Sequence, residues 1–266
     1  MYESNANIQL SINNKIATIT FFHQASNSFT SQMLTDLTNQ FYSLDDNNLV
    51  NVIVLQSKGD GAFCAGASFT ELLQIENIEH GTQFFSGFAN VLNAMRKCSK
   101  IIIGKVQGKA VGGGVGLIAA CDYAIATTNS SIKLSEIAIG IGPFVIEPAV
   151  SRKVGKMACS VLTLTPTTWQ TADWAHQKGL FTTIVENQNE LDHEVSQMAE
   201  QISNYNSEAL TEIKKIFWEN TDHWGTLLTE RAKISGQLVL SPFTKNALQQ
   251  FTKYIIDEHN QNNEAI

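Results

Sequence analysis

The chain has 266 residues, 43% of them hydrophobic, enough for a full buried core, which excludes a disordered or fibrous protein. Its formal net charge of −7 disfavours an extended phosphate-binding surface, so nucleic acid is not expected as a main partner. The opening stretch MYESNANIQLSINN lacks a basic segment leading into an apolar one. No apolar run approaches the roughly 20 residues that span a bilayer, so the expectation is a soluble, cytoplasmic protein with no membrane partner.

Ile8, Leu10 and Ile12 alternate with polar residues, Asn13-Asn14 supplies a turn, and Ile16 to Phe22 resumes a β pattern, which predicts an opening hairpin. Phe29, Met33, Leu34, Leu37 and Phe41 then fall at helical spacing. The β-branched run Asn51 to Gln56 reads as a strand covered on both faces. A Gly-rich loop, Gly59 to Ala67, and a polar helical stretch lead to a second buried strand, Ile101 to Val106. A second Gly-rich turn, Gly108 to Gly114, opens a small, apolar helix at Val115 to Cys121, and Tyr123 to Ala126 is the next strand. The order predicts an α/β domain. From about Asp192 the pattern is helical, with Ser241-Pro242 separating the last two helices, the second carrying Leu248, Phe251 and Ile255. Trp218 and Trp224 imply burial against a neighbouring element or another subunit. Domain bounds of 1–195 and 196–266 follow from this change of pattern.

Cys64, Cys98, Cys121 and Cys159 show no C-x-x-C pair and read as reduced, mostly buried thiols. The six histidines contain no H-x-x-x-H pair, so no metal is expected. Neither a G-x-S-x-G elbow nor a P-loop is present. The two glycine loops are more informative, because each ends at a helix start: Gly66-Ala67 before Ser68, and Gly112 to Gly114 before Val115. Unpaired N–H groups there could form an oxyanion hole if both loops face one place, whereas either loop alone reads as a tight connection.

Gly61-Ala-Phe-Cys-Ala-Gly-Ala67, then Ile103 to Gly114, then Ala119 to Ala126, resemble the signature of the crotonase (enoyl-CoA hydratase/isomerase) superfamily in order and separation. The resemblance implies a spiral of ββα units followed by a helical C-terminal region that builds a homotrimer, often a dimer of trimers. It also implies an acyl-CoA thioester substrate, CoA being part of the substrate and no separate cofactor being needed. The matching oxyanion donors are the Ala67 and Gly113 N–H groups. Phe63, Cys64, Ala65, Gly66 and Gly112 are expected along the CoA path, Pro143 and Phe144 near the acyl chain, and Lys58 beside a CoA phosphate.

Hydratases of the superfamily hold their water between two glutamates. Here the first position is Gly116 and the second is Glu136. A lone second glutamate, with Gly140-Ile-Gly-Pro-Phe144 after it, resembles the Δ3,Δ2-enoyl-CoA isomerases, in which one base moves a proton from C2 to C4. Glu147 is the competing acid, unless it caps the helix beginning near Pro148 or is neutralised by Arg152 or Lys153. Asp122 reads as structural, and Trp169, Trp174 and Leu180 as core or as a lid beneath the acyl chain. The alternatives are an enoyl-CoA hydratase of fatty-acid or branched-chain amino-acid breakdown, an acyl-CoA decarboxylase or lyase, and a non-catalytic RNA-associating homologue.

Overall fold

A computed structural model describes residues 6–250. β1 (Ala6–Asn13) and β2 (Ile16–His23) pair antiparallel along their whole length. Their connection is Asn14 and Lys15, at φ 48° and 67°, so the turn lies one residue later than Asn13-Asn14. Positive φ at both positions gives a two-residue loop the twist that a hairpin needs. α1 (Ser31–Asp45) begins at Thr30, whose side chain accepts from the Met33 N–H. Phe29 is not part of this helix, because its N–H is bound to Gly66 O at 2.7 Å.

β3 (Val52–Ser57) is followed by α2 (Phe69–Gln74), capped by Ser68, and by α3 (Ile78–Lys97), capped by Asn77. β4 (Ile101–Val106), β5 (Ala110–Val111), α4 (Gly113–Ala120), β6 (Tyr123–Thr127) and β7 (Ser131–Lys133) come next. A 3₁₀ turn at Glu136–Ile139 leads into α5 (Glu147–Leu164). Then come β8 (Gln170–Thr171), α6 (Ala172–Gln177), β9 (Thr183–Val185), α7 (Gln188–Ser203), α8 (Ser207–Phe217) and α9 (Trp224–Leu238). The chain is helical again from 242 to 250. Phe251 and Ile255 lie outside the described residues.

The main sheet has the order β1-β2-β3-β4-β6-β9, parallel from β2 onward, and β5, β7 and β8 form a second, small sheet. Both faces of the main sheet are covered, which is why β3 and β4 are apolar almost throughout. On one face lies the large core with α1, α3, α4 and α5; on the other, Val52, Val54, Ile103 and Ile125 meet Leu191, Val195 and Ala199 of α7. A division at 195/196 thus falls inside a helix that packs on the sheet along its length. Trp218 and Trp224 are buried within the same chain, edge to face at 5.8 Å. Asp122 ties this helical region to the sheet: it pairs with Lys214 at 2.9 Å and accepts from Trp218 Nε1 and the Ile102 N–H. No helix among the described residues is long and apolar enough to cross a membrane.

Candidate active site

The two glycine loops are hydrogen-bonded to each other. Cys64 N–H donates to Lys109 O at 3.2 Å and Val111 N–H to Cys64 O at 2.9 Å. The first loop is also held to Phe29, through Gly66 O and the Ser68 N–H, a pattern that leaves out the Ala67 N–H between them. Gly113 is the first residue of α4, where an N–H has no partner one turn back. Neither N–H has an acceptor among the described residues. The loops approach so closely that a Cβ on Gly66 would sit 3.6 Å from the Gly113 nitrogen.

These loops form one wall of a cavity of about 610 Å³, counting the space that opens to solvent. Phe69, Leu72, Phe85, Phe88, Ile139, Ile141 and Ile146 make its lining largely apolar. Glu136 enters from the 3₁₀ turn. The residue as a whole is only half-buried, but its Oε2 is fully buried and has no hydrogen-bond partner among the described residues. Burial pushes its carboxyl up to about 7, against a weaker opposing pull from its own backbone N–H. The carboxylate lies against Gly112, where a Cβ would fall 2.6 Å from Oε1. Gly112 also has φ 51° and ψ −116°, a backbone that side chains rarely permit, so both the turn and the carboxylate require glycine there.

Ala65, Gly66, Ala67, Gly112, Gly113, Glu136, Pro143 and Phe144 all line this cavity, as the sequence reading expects. Four other expected positions do not. Phe63 and Cys64 are completely buried beneath the first loop; Cys64 Sγ accepts from the Gly66 N–H, and burial pushes its thiol up to about 12. They shape the loop instead of touching a ligand. Lys58 sits outside the cavity with its ammonium 5.3 Å from the Phe22 ring centre. Gly116 faces inward from α4, but its space is already filled: a Cβ there would lie 2.5 Å from Ile146 Cγ2.

Glu147 is likewise outside the cavity, and it is not a cap. It is the first residue of α5, makes no capping bond, and pairs with Arg231 of α9 at 2.5 Å. Arg152 and Lys153 are engaged elsewhere, over the Trp218 ring and on Asp122 O respectively. Leu180 is core, Trp174 packs against the core, and Trp169 has the ammonium groups of Lys109 and Lys133 5.2 and 4.4 Å from its ring centre; none of the three lines the cavity. Two wall residues have no sequence signal of their own, Ile146 in an apolar run and Ser235 within α9.

Parallel strands whose glycine loops converge on one apolar cavity, followed by a helical C-terminal region, define the crotonase fold. A crystal structure of enoyl-CoA hydratase from Bacillus halodurans shares it, with a TM-score of 0.85 over 91% of this chain and 99% of that one, at 21% identity. The profile of the enoyl-CoA hydratase/isomerase family matches residues 11–255, and the chain belongs to that family. Short-chain-enoyl-CoA hydratase of Clostridium acetobutylicum is 29% identical over 182 residues, covering 68% of this chain and 69% of the relative. The enoyl-CoA hydratase AKT6-1 of Alternaria alternata is 30% identical over 142 residues; the match takes in 53% of this chain and only 46% of that relative's length.

Proposed function

We propose that the protein isomerises a 3-enoyl-CoA to the 2-enoyl-CoA, with Glu136 as the single acid and base. The thioester oxygen rests on the Ala67 and Gly113 N–H groups, which are the unpaired donors facing the cavity. Glu136 removes the C2 proton, the dienolate charge is held by the two N–H groups, and Glu136 returns the proton to C4. A carboxyl raised to about 7 suits both halves of this cycle, since it must exist as base and as acid near neutral pH. The observation that carries the reading is the Gly116–Ile146 contact: where hydratases place the other glutamate, a methyl-bearing side chain fills the space.

Hydration is the second reading, favoured by the likeness to the enoyl-CoA hydratases of Clostridium and Alternaria. The experiment that separates the two is to supply 3-hexenoyl-CoA and, separately, crotonyl-CoA to the protein and to Glu136→Gln, following conjugated-enoyl absorbance and product mass. Isomerisation without water uptake, slowed on the order of 10²–10⁴-fold in the variant, is expected. Water addition to crotonyl-CoA, or full activity of Glu136→Gln, overturns the proposal.

We also propose a homotrimer, alone or paired, in the cytoplasm. Met157, Val161 and Leu164 form an apolar stripe on α5 that is 79%, 43% and 74% exposed, and a second copy would cover it. Sedimentation velocity on the full chain should show a trimer or hexamer, and a monomer at micromolar concentration counts against the assignment.

A further inference from the structure

The cavity wall carries a polar side chain that the proton transfer does not use. Besides Glu136 and its neighbour Ser135, the polar side chain on this wall, among the described residues, is Ser235 of α9. Ser235 is 1% exposed and lies on the cavity wall; its hydroxyl is not among the fully enclosed unpartnered side-chain atoms of the described residues, which are Asn7 Oδ1 and Glu136 Oε2, so it keeps its access to the cavity. Three helical threonines bond back one turn, Thr38 to Leu34 O, Thr163 to Cys159 O and Thr229 to Gly225 O, a bond Ser235 does not make.

Its position is fixed by the residue beside it. α9 crosses α3 at Gly236 and Gly81 with the backbones in contact: a Cβ on Gly236 would fall 2.5 Å from Thr82 N, and one on Gly81 would fall 2.7 Å from Gly236 O. With no side chain between the helices, α9 has no slack in which to turn Ser235 off the wall. A ligand that fills this largely apolar cavity displaces the water from that hydroxyl, and binds best if it returns a hydrogen bond.

The chemistry of that ligand group follows from the rest of the wall. Among the described residues lining the cavity there is no Lys, Arg or His, and Glu136 is itself a potential negative charge, so a carboxylate on the acyl chain would be unpaired and repelled. Arg231 is already paired with Glu147 outside. A neutral acceptor remains. We propose that Ser235 recognises a carbonyl or hydroxyl oxygen along the acyl chain, making the substrate class oxygen-bearing acyl-CoA esters instead of plain hydrocarbon ones. This rests on the acyl-CoA reading above, but not on the isomerase chemistry.

Binding of saturated esters tests it without turnover. Calorimetric titration of the full-length protein with pentanoyl-CoA against 4-oxopentanoyl-CoA, and hexanoyl-CoA against 5-oxohexanoyl-CoA, compares chains of equal length. One oxo ester should bind about five- to tenfold more tightly than its hydrocarbon partner, the worth of one neutral hydrogen bond, and Ser235→Ala should bring that ratio towards one. Thermal melting of Ser235→Ala and of Ser235→Cys, which keeps a weak donor in nearly the same volume, checks that the wall is intact. Equal binding of each pair by the wild type, or a preference that survives Ser235→Ala, overturns the inference while leaving the isomerase reading standing. If no acyl-CoA binds at all, the acyl-CoA reading fails and this inference with it.

Discussion

Glu136 sets two opposite pH dependences. Because its folded carboxyl is raised to about 7 from 4.5, the folded state holds a proton that the unfolded state has released over that interval. Its contribution to stability is therefore complete below about pH 4.5 and is lost as pH rises through 7. Activity needs the ionised base, so kcat/KM should climb with pH over the range where this stability falls, with a midpoint near 7. Glu136→Gln keeps the shape and removes the charge; at pH 8 it should be more stable than the wild type by on the order of 1–3 kcal/mol, and at pH 4 by little. Melting curves at both pH values read the difference directly, and a gap that is the same at pH 4 and 8 would show that the carboxyl is not raised. Gly112→Ala places a methyl on the Glu136 oxygen and strains a backbone at φ 51°, so kcat should fall on the order of 10²–10³-fold with the fold retained by circular dichroism.

At the scale of elements, the cavity depends on helices that touch without side chains between them. Gly236→Val would drive a branched group onto the Thr82 nitrogen of α3. The expected cost is about 3 kcal/mol or more, read from urea denaturation, since the obstacle is backbone and cannot change rotamer. At α4 the obstacle is a side chain instead: Gly116 meets Ile146, the residue just ahead of α5. Gly116→Glu alone should destabilise the protein through Ile146, whereas Gly116→Glu with Ile146→Ala should recover stability and add water to crotonyl-CoA; a double variant that folds but never hydrates would show that Ile146 is not what separates the two chemistries. How much of this was legible in the sequence depended on distance along the chain. The apolar runs of β3 and β4 announce strands buried on both faces, and the unbroken spacing from Gly114 to Glu136 places that carboxylate correctly on the cavity. Neighbours far apart in sequence were not legible. The space beside Gly116 is filled by Ile146, Glu147 is neutralised by an arginine 84 residues away in place of a local cap, and Ser235 reads as an ordinary helical residue until α9 is laid across α3. Phe63 and Cys64 were misplaced for a related reason: pattern puts them on the loop but does not say which way they turn.

For the molecule as a whole, Asp122 is the buried charged joint between the sheet and the helical C-terminal region. Its side chain and that of Lys214 are each only 3% exposed. The carboxylate takes the Lys214 ammonium, the Trp218 indole N–H and the Ile102 N–H, while Lys214 also donates to Lys100 O at 2.5 Å. Every charge there is thus answered by geometry that only the docked arrangement supplies. Removing one partner leaves the other charged and buried, which costs more than the pair contributes. Lys214→Met should therefore destabilise the protein by about 3–5 kcal/mol, and Lys214→Met combined with Asp122→Asn should recover a substantial part of the loss, because the stranded charge is gone while the indole and amide contacts can persist. The cavity wall supplied by α9 lies beyond this joint in the chain, so the two perturbations should differ in function as well. In Lys214→Met, acyl-CoA binding should weaken along with the loss of stability; in the double variant both should return together. If binding is untouched while stability falls by several kcal/mol, α9 keeps its place on α3 without this joint, through the glycine crossing, its buried Trp224, Leu228 and Ala232, and the Arg231–Glu147 pair.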